Sequence, residues 1–221
     1  MRYGVLMSRY IKNDRTGGQG VERVSFAVIL SVLCVWPAFA EVSSKELESY
    51  LTDIKTLDGQ FQQYVDGYLP RTGSVVFERP KKFVWRYGDP EPQKLISTGS
   101  ALYFIDENSE QVTTLPQDIA LTKLMFGETV AFNSDVTKLE SMTRQDGHVY
   151  VHIDVIDSET WQADIDALTL VFKEDPVNLV GLTTIDRLGN QVDLFFETLT
   201  VNKPVDRSVF KFTPPQYDRA D

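Results

Sequence analysis

An arginine beside a row of aromatic residues is the part of this chain best equipped for chemistry, and that chemistry is binding. Arg79 sits inside Gly73-Ser-Val-Val-Phe77-Glu-Arg79-Pro80-Lys-Lys-Phe83-Val-Trp85-Arg-Tyr87. Val75, Phe77 and Arg79 share one parity, so a strand reaching residue 79 places a guanidinium on an apolar face. Beyond the Arg-Pro corner, Phe83, Trp85 and Tyr87 alternate with Lys82, Val84 and Arg86, the period-two pattern of a half-buried strand. Three rings on one face, with Phe77 on the preceding strand, make a broad apolar wall. A guanidinium next to it must either find acceptors or remain at the strand end in water.

Catalytic patterns are not found. The sequence has no G-x-S-x-G elbow, no P-loop and no H-E-x-x-H. His148 and His152 are the two histidines. On one strand they share a face but stand about 13 Å apart at strand rise, too far to chelate one metal. Asp164 and Asp166 lack the glycine-bearing loop of a calcium site and read as surface acids. A hydrolytic carboxylate pair stays open, with nothing to favour any pair. No metal and no cofactor is expected. An aromatic-walled sheet with apolar helices to hand points to a ligand cavity.

The ends and the charge say where such a protein works. Of the 221 residues, the first forty carry Arg2, Arg9, Lys12, Arg15 and Arg23, then an apolar run from Val24 to Trp36, Pro37 and Ala38-Phe39-Ala40. This is the n-region, h-region and A-x-A site of a secretory signal peptide, with an uncleaved anchor as the alternative. The run is short of the ~20 residues that span a bilayer comfortably. The expected organisation is a signal peptide over residues 1–40 and a single domain over 41–221. Cys34, the one cysteine, lies in the leader, so the exported part holds together by its core and not by disulfides. The leader takes five of the 22 Lys/Arg and two of the 32 Asp/Glu, which leaves 17 basic against 30 acidic residues. Such a surface is soluble and disfavours nucleic acid and anionic headgroups.

The elements that must position the wall are mostly strands. Val42 to Leu57 reads as an amphipathic helix capped by Ser43 or Ser44, with Leu47, Leu51 and Ile54 on one face. It is either packed permanently on the core or mobile. Strands follow from Gly59 to Val65, through the two of the opening stretch, to about Ser97, over Ala101–Ile105 (apolar on both faces) and Ser109–Thr114. After Pro116, Asp118 can start a short helix bearing Ile119, Leu121, Leu124, Met125 and Phe126 and ending at Gly127, as a core helix or a lid. The remaining strands are expected around Val149–Val155, Trp161–Ile165, Leu168–Phe172, Leu179–Ile185, Val192–Leu199 and Val209–Phe212. About eleven strands and two or three helices make a mainly β protein: one large curved antiparallel sheet or open barrel, with helices over one face or mouth.

The opening stretch resembles the periplasmic lipoprotein-carrier (LolA) family of Gram-negative bacteria. Phe61-Gln62-Gln63 is similar to the family's early strand. Its Gly-x-x-x-x-x-Arg-Pro-x-x-Phe-x-Trp core is present as Gly73, Arg79, Pro80, Phe83 and Trp85. Gly99 with Leu102, Tyr103 and Phe104 follows, then Asp106, Gln111-Val112, the Asp186-to-Gly189 hairpin and a terminal Phe210, Phe212, Pro214, Pro215. The chain departs after Pro215, where Gln216-Tyr217 replaces the family's glycine and valine, and in the lid helices.

The resemblance implies an incomplete, unclosed antiparallel β-barrel with a helical lid over an apolar cavity. It implies a non-enzymatic periplasmic chaperone, exported by a cleavable signal peptide, that carries the acyl chains of lipoproteins to the outer membrane. Its partners would be acylated lipoproteins and an inner-membrane lipoprotein-releasing ABC transporter, with an outer-membrane acceptor as a further candidate. The carrier would act as a monomer. Arg79 would latch the lid through its backbone carbonyls; Phe77, Phe83, Trp85 and Tyr87 would line the cavity. A lipid or lipoprotein sensor that regulates a partner, a free-lipid carrier and a lipid- or cell-wall-acting hydrolase are the alternatives.

Overall fold

The computed structural model describes residues 41–68, 70–116, 120–156 and 165–215. The expected signal peptide, Asp118, Ile119, Trp161, Ala163 and Asp164 lie outside the described residues.

Helix α1 (Ser44–Asp53) starts at Ser43, whose side chain accepts from Glu46 N while the Glu46 carboxylate accepts from Ser43 N at 2.7 Å. These two reciprocal bonds form a capping box, and Glu46 also meets the positive end of the helix dipole. The bond from the Ser43 backbone holds the Glu46 carboxyl below its usual range. Leu47 and Leu51 are buried along the helix, and Ile54 just beyond it. The helix ends at Asp53 and does not continue to Leu57, because β1 (Thr56–Val65) claims that backbone. Leu57 is paired there with Phe77 on one side and Val201 on the other.

The other strands are β2 (Arg71–Glu78), β3 (Lys82–Tyr87), β4 (Gln93–Thr98), β5 (Leu102–Asp106), β6 (Gln111–Leu115), β7 (Thr137–Gln145), β8 (His148–Val155), β9 (Ile165–Lys173), β10 (Asn178–Asp186) and β11 (Gln191–Val201). They form one antiparallel sheet in the order β6-β5-β4-β3-β2-β1-β11-β10-β9-β8-β7. Strands β6 and β7 are its two edges, so the protein is mainly β, an eleven-stranded barrel that does not close. The chain must pass from one edge to the other between β6 and β7, and α2 (Ala120–Phe126) lies on that passage.

Three strand expectations need correction. Strand β7 has no apolar alternation to announce it; it is largely exposed and bulged between Leu139 and Ser141. What read as two strands ending at Ile165 and Phe172 is, in the described part, one continuous β9. Val209–Phe212 is not a strand: Arg207–Phe210 is a turn of 3₁₀ helix capped by Asp206, whose carboxylate accepts from Ser208 N at 2.9 Å. This segment lies over the outer face of β3–β5, where no sheet edge is available for pairing.

That strap also changes the reading of β3. Val84 is fully buried on the face opposite the aromatic residues, in a second cluster with Ile96, Ile105 and Phe210. Tyr103 stacks on Phe212 with centroids 3.8 Å apart. Strand β5 is apolar on both faces for the same reason: Leu102 belongs to the main core and Ile105 to the outer cluster. The main core lies between the concave face and the helices, with Phe61, Phe132 and Phe172 among its fully buried side chains.

Two positions give tests of this architecture. A Cβ on Gly73 would overlap the Phe61 ring and the Arg86 carbonyl, so the strand crossing there tolerates only glycine. Gly73→Ala is expected to destabilise the fold by about 1–3 kcal/mol, as overpacking does, read from urea unfolding midpoints. In the β10–β11 turn, Asp186 accepts from Asn190 Nδ2 (2.6 Å), Asn190 N (2.8 Å) and Leu188 N (2.9 Å). Those bonds, the Asn190 side chain foremost, lower its pKa. The stabilisation is therefore complete above the ordinary carboxylate value of about 3.9 and is lost as pH falls through the lower folded value. The difference in unfolding midpoint between the native chain and Asp186→Ala should be present at pH 6 and shrink in strong acid.

Candidate functional site: a lidded apolar cavity

Along β2 and β3, inward-facing residues alternate with outward ones, and the Arg79-Pro80 corner joins the two strands at one end of the concave face. Phe77, Phe83, Trp85 and Tyr87 all face inward there, as does Phe61 of β1. Phe61 lies 4.5 Å from Trp85 and meets Tyr87 edge-on at 5.6 Å, centroid to centroid. Helices α1 and α2 face this wall across a cavity of about 350 Å³. Arg79, Phe77, Phe83, Trp85 and Tyr87 all line it, together with Leu51 and Ile54 at the end of α1 and Leu124, Met125 and Phe126 of α2.

Arg79 follows the last residue of β2 and turns its side chain toward the helices. Its Nε donates to Ile54 O at 2.8 Å, its Nη2 to Leu51 O at 3.0 Å and its Nη1 to Gly127 O. Leu51 and Ile54 are at the C-terminal end of α1, and Gly127 follows α2 directly. The last carbonyls of a helix have no partner within it and carry its negative dipole end. One planar guanidinium thus satisfies carbonyls from both helix ends. The backbone adds to the junction: Arg79 N donates to Lys55 O and Lys81 N to Phe126 O, both at 2.8 Å. Burial pushes the Arg79 pKa down to about 10, so the group remains cationic at neutral pH.

The two helices are tied to different parts of the sheet. The Tyr50 hydroxyl of α1 donates to Asn178 Oδ1 at 2.9 Å and accepts from Leu179 N at 3.1 Å, and its ring meets Phe172 edge-on. Asn202 Oδ1 accepts from Lys55 N at 2.7 Å just beyond the helix. Helix α1 is thereby tied to β10 and to the end of β11. At the end of α2, Phe126 stacks on Phe83 (4.1 Å, 19°) and meets Phe77 edge-on. Arg79 and Lys81 tie this end of α2 to the β2–β3 corner.

The wall also contains polar groups that the aromatic pattern did not announce. Gln63, Thr122 and Thr184 line the cavity and are buried. Tyr87 donates to Gln63 Oε1 at 2.6 Å. The Trp85 Nε1–H stands beside the Tyr87 hydroxyl without meeting hydrogen-bond geometry, and it is buried with no acceptor among the described residues. Burial raises the Tyr87 pKa despite these neighbours and Arg71, whose guanidinium lies 4.3 Å from the ring centroid. Gln63 had a readable signal: it shares the parity of Leu57, Gly59 and Phe61, and so is a polar residue on an apolar face.

The other candidates lie elsewhere. His152 contacts the Thr143 and Thr169 hydroxyls at 3.1 and 3.0 Å, and His148 the Asp146 carbonyl. Asp166 pairs with Arg187 at 3.5 Å. Among the described residues no group of three or more His, Cys, Asp and Glu could hold a metal, and no helix is long and apolar enough to cross a membrane.

If Arg79 is the tie between α2 and the rest, a lysine should not replace it, because one ammonium cannot serve three separated carbonyls in a plane. Arg79→Lys is expected to speed amide hydrogen exchange at Lys123–Gly127 about tenfold or more, with smaller change in β10 and β11. Unchanged protection at the end of α2 would contradict this assignment.

The family model described as "Outer membrane lipoprotein carrier protein LolA" matches residues 52–213. An outer-membrane lipoprotein carrier protein of Legionella pneumophila (strain Lens) is 27% identical over 199 residues, covering 86% of this chain and 94% of that protein. A protein of the same name from Cupriavidus necator is 29% identical over 205 residues, covering 87% and 94%. Among solved structures, a LolA superfamily protein from Nitrosomonas europaea covers 77% of this chain and 98% of its own at 10% identity, with a TM-score of 0.42. The family model spans most of the chain and takes in the Arg79 corner, the aromatic wall and α2, and the chain therefore belongs to the LolA outer membrane lipoprotein carrier family.

Proposed function

We propose that this protein is a periplasmic carrier that holds the acyl chains of lipoproteins in its cavity and delivers them to the outer membrane. The observation that carries the reading is one arginine, Arg79, bonded to the ends of both helices above an aromatic-walled cavity. Family membership and the similarly named relatives support the cargo class. The inner-membrane lipoprotein-releasing ABC transporter would load it, and the outer membrane, with or without an acceptor protein, would unload it. Export would use the leader over residues 1–40. The role is binding and transport, with no chemical step.

The physics of hand-off follows from the geometry. A buried methylene contributes roughly 0.8 kcal/mol, so part of one acyl chain is already worth several kcal/mol. A carrier that simply bound that tightly would not let go. The cavity, about 350 Å³, is near the lower end of the ~300–1,000 Å³ of small-ligand sites, so a ligand with several long chains must part the lid. Parting the lid breaks the Arg79 bonds to Gly127, Leu51 or Ile54 and the Phe83–Phe126 stack. The ligand's apolar contacts are set against these lost contacts. On release the closed state recovers them, which lowers the net affinity and lets cargo pass to an acceptor or bilayer. The excess of acidic residues keeps an unloaded carrier off anionic membrane surfaces.

Arg79→Leu tests the mechanism. It removes the latch and leaves the wall, so the variant is expected to take up lipoprotein at least as readily as the native chain. Transfer onward to outer-membrane vesicles should then be slower by about tenfold or more. Native transfer rates in that variant would sink the latch.

A further inference from the structure

We infer that the cavity holds its ligand in one direction, with carbonyl groups against Gln63, Trp85 and Tyr87 and hydrocarbon tails toward Arg79. The inference rests on the acyl-chain reading above and adds an orientation to it. The two ends of the cavity differ in chemistry. At the Arg79 end the surface is ring and aliphatic carbon, Phe77 and Phe83 against Phe126, and the guanidinium is committed to three carbonyls. Four residues further along β3, about 13 Å at strand rise, Tyr87 faces Gln63 and Trp85 stands between the two ends.

This far end carries neutral polar groups. The Tyr87 hydroxyl donates to Gln63 Oε1, and both residues line the cavity. The Trp85 Nε1–H has no acceptor among the described residues. A buried donor without an acceptor in an apolar wall calls for one from the ligand. A neutral acceptor suits this neutral donor, and Arg71, the cation against the Tyr87 ring, turns its Nη2 to the Glu91 carbonyl (3.0 Å), Gln93 Oε1 (3.2 Å) and the Glu91 carboxylate (3.5 Å). Neutral carbonyl oxygens remain: the ester and amide carbonyls that join acyl chains to a glyceryl-cysteine. Nε1 is sealed from water in the closed state, so the carbonyl reaches it only as the ligand parts the wall.

The same end borders two hairpins. Gln63 precedes the Asp66-Gly67 turn, and Thr184 precedes the Asp186–Asn190 turn. Asp66 and Gln191 join these turns by two 2.9 Å bonds. The cargo's peptide would leave the cavity past this pair of turns, away from the Arg79 latch.

Two synthetic diacylglyceryl-cysteine tetrapeptides of equal chain length, one ester-linked and one ether-linked, provide the test. The full chain is used with Trp36→Phe and Trp161→Phe, so that Trp85 is the remaining tryptophan. The ester ligand is expected to bind about 3- to 10-fold more tightly, the worth of one hydrogen bond, and Gln63→Leu should shrink that ratio. Bromine placed beside the ester should quench Trp85 more than bromine at the methyl end. Equal affinities, or stronger quenching from the methyl end, would overturn the orientation while acyl binding stands. Failure of both lipopeptides to bind would overturn the acyl-chain reading itself, and the orientation with it. The ester–ether and quenching comparisons need no cavity substitution, so a misfolded Gln63→Leu does not blunt them.

Discussion

A buried guanidinium with no carboxylate beside it among the described residues has to be satisfied by dipoles, and the placing of the two helix ends meets that requirement. The acceptors able to do it in quantity are carbonyls left over at helix C-termini. Arg79 stands where β2 ends, and α1 and α2 both end within its reach. The bonds are between an ion and neutral groups, so they are strong when aligned; those to Leu51 and Ile54 hold the end of α1, and the one to Gly127 holds the end of α2.

The sheet supplies the rest of the device because it does not close. An eleven-stranded sheet with β6 and β7 as free edges needs a connection from one edge to the other, and α2 lies on it. The lid is therefore a consequence of topology as well as of sequence. Helix α1 precedes β1 in the centre of the sheet and is fixed by Tyr50 to Asn178 and Leu179. The C-terminal strap covers the outer face of β3–β5, so the aromatic strand is packed on both sides.

The core resembles that of an ordinary β protein until the cavity is considered. Most large apolar side chains are packed against one another, with Phe61 and Phe172 fully buried. The aromatic residues of β3 grade from Phe83, capped by Phe126, to Tyr87, which holds Gln63. The two ends of this wall therefore differ in chemistry, rings and aliphatic carbon at one and a hydrogen-bonded tyrosine–glutamine pair at the other.

Much of this was legible in the residues themselves. Period-two alternation marked β3 and β8, Ser43 or Ser44 followed by Glu46 or Glu48 marked the start of α1, and the shared parity of Val75 and Phe77 marked the inward face of β2, which ends at Glu78, one residue before Arg79. Local chemistry determines these, because alternation and capping depend on neighbours in the chain. Strand β7 was not legible, since an exposed edge strand carries no burial pattern, and Phe210 was misread because a residue buried by a crossing strap looks like one buried in a strand. The partners of Arg79 could not be read either: Leu51, Ile54 and Gly127 act through backbone carbonyls, which every residue has. From the residues alone, an arginine stands next to an aromatic wall and must either find acceptors or stay in water at the strand end. The fold settles which, because it alone brings the ends of two helices, far apart in the chain, to one corner between two strands.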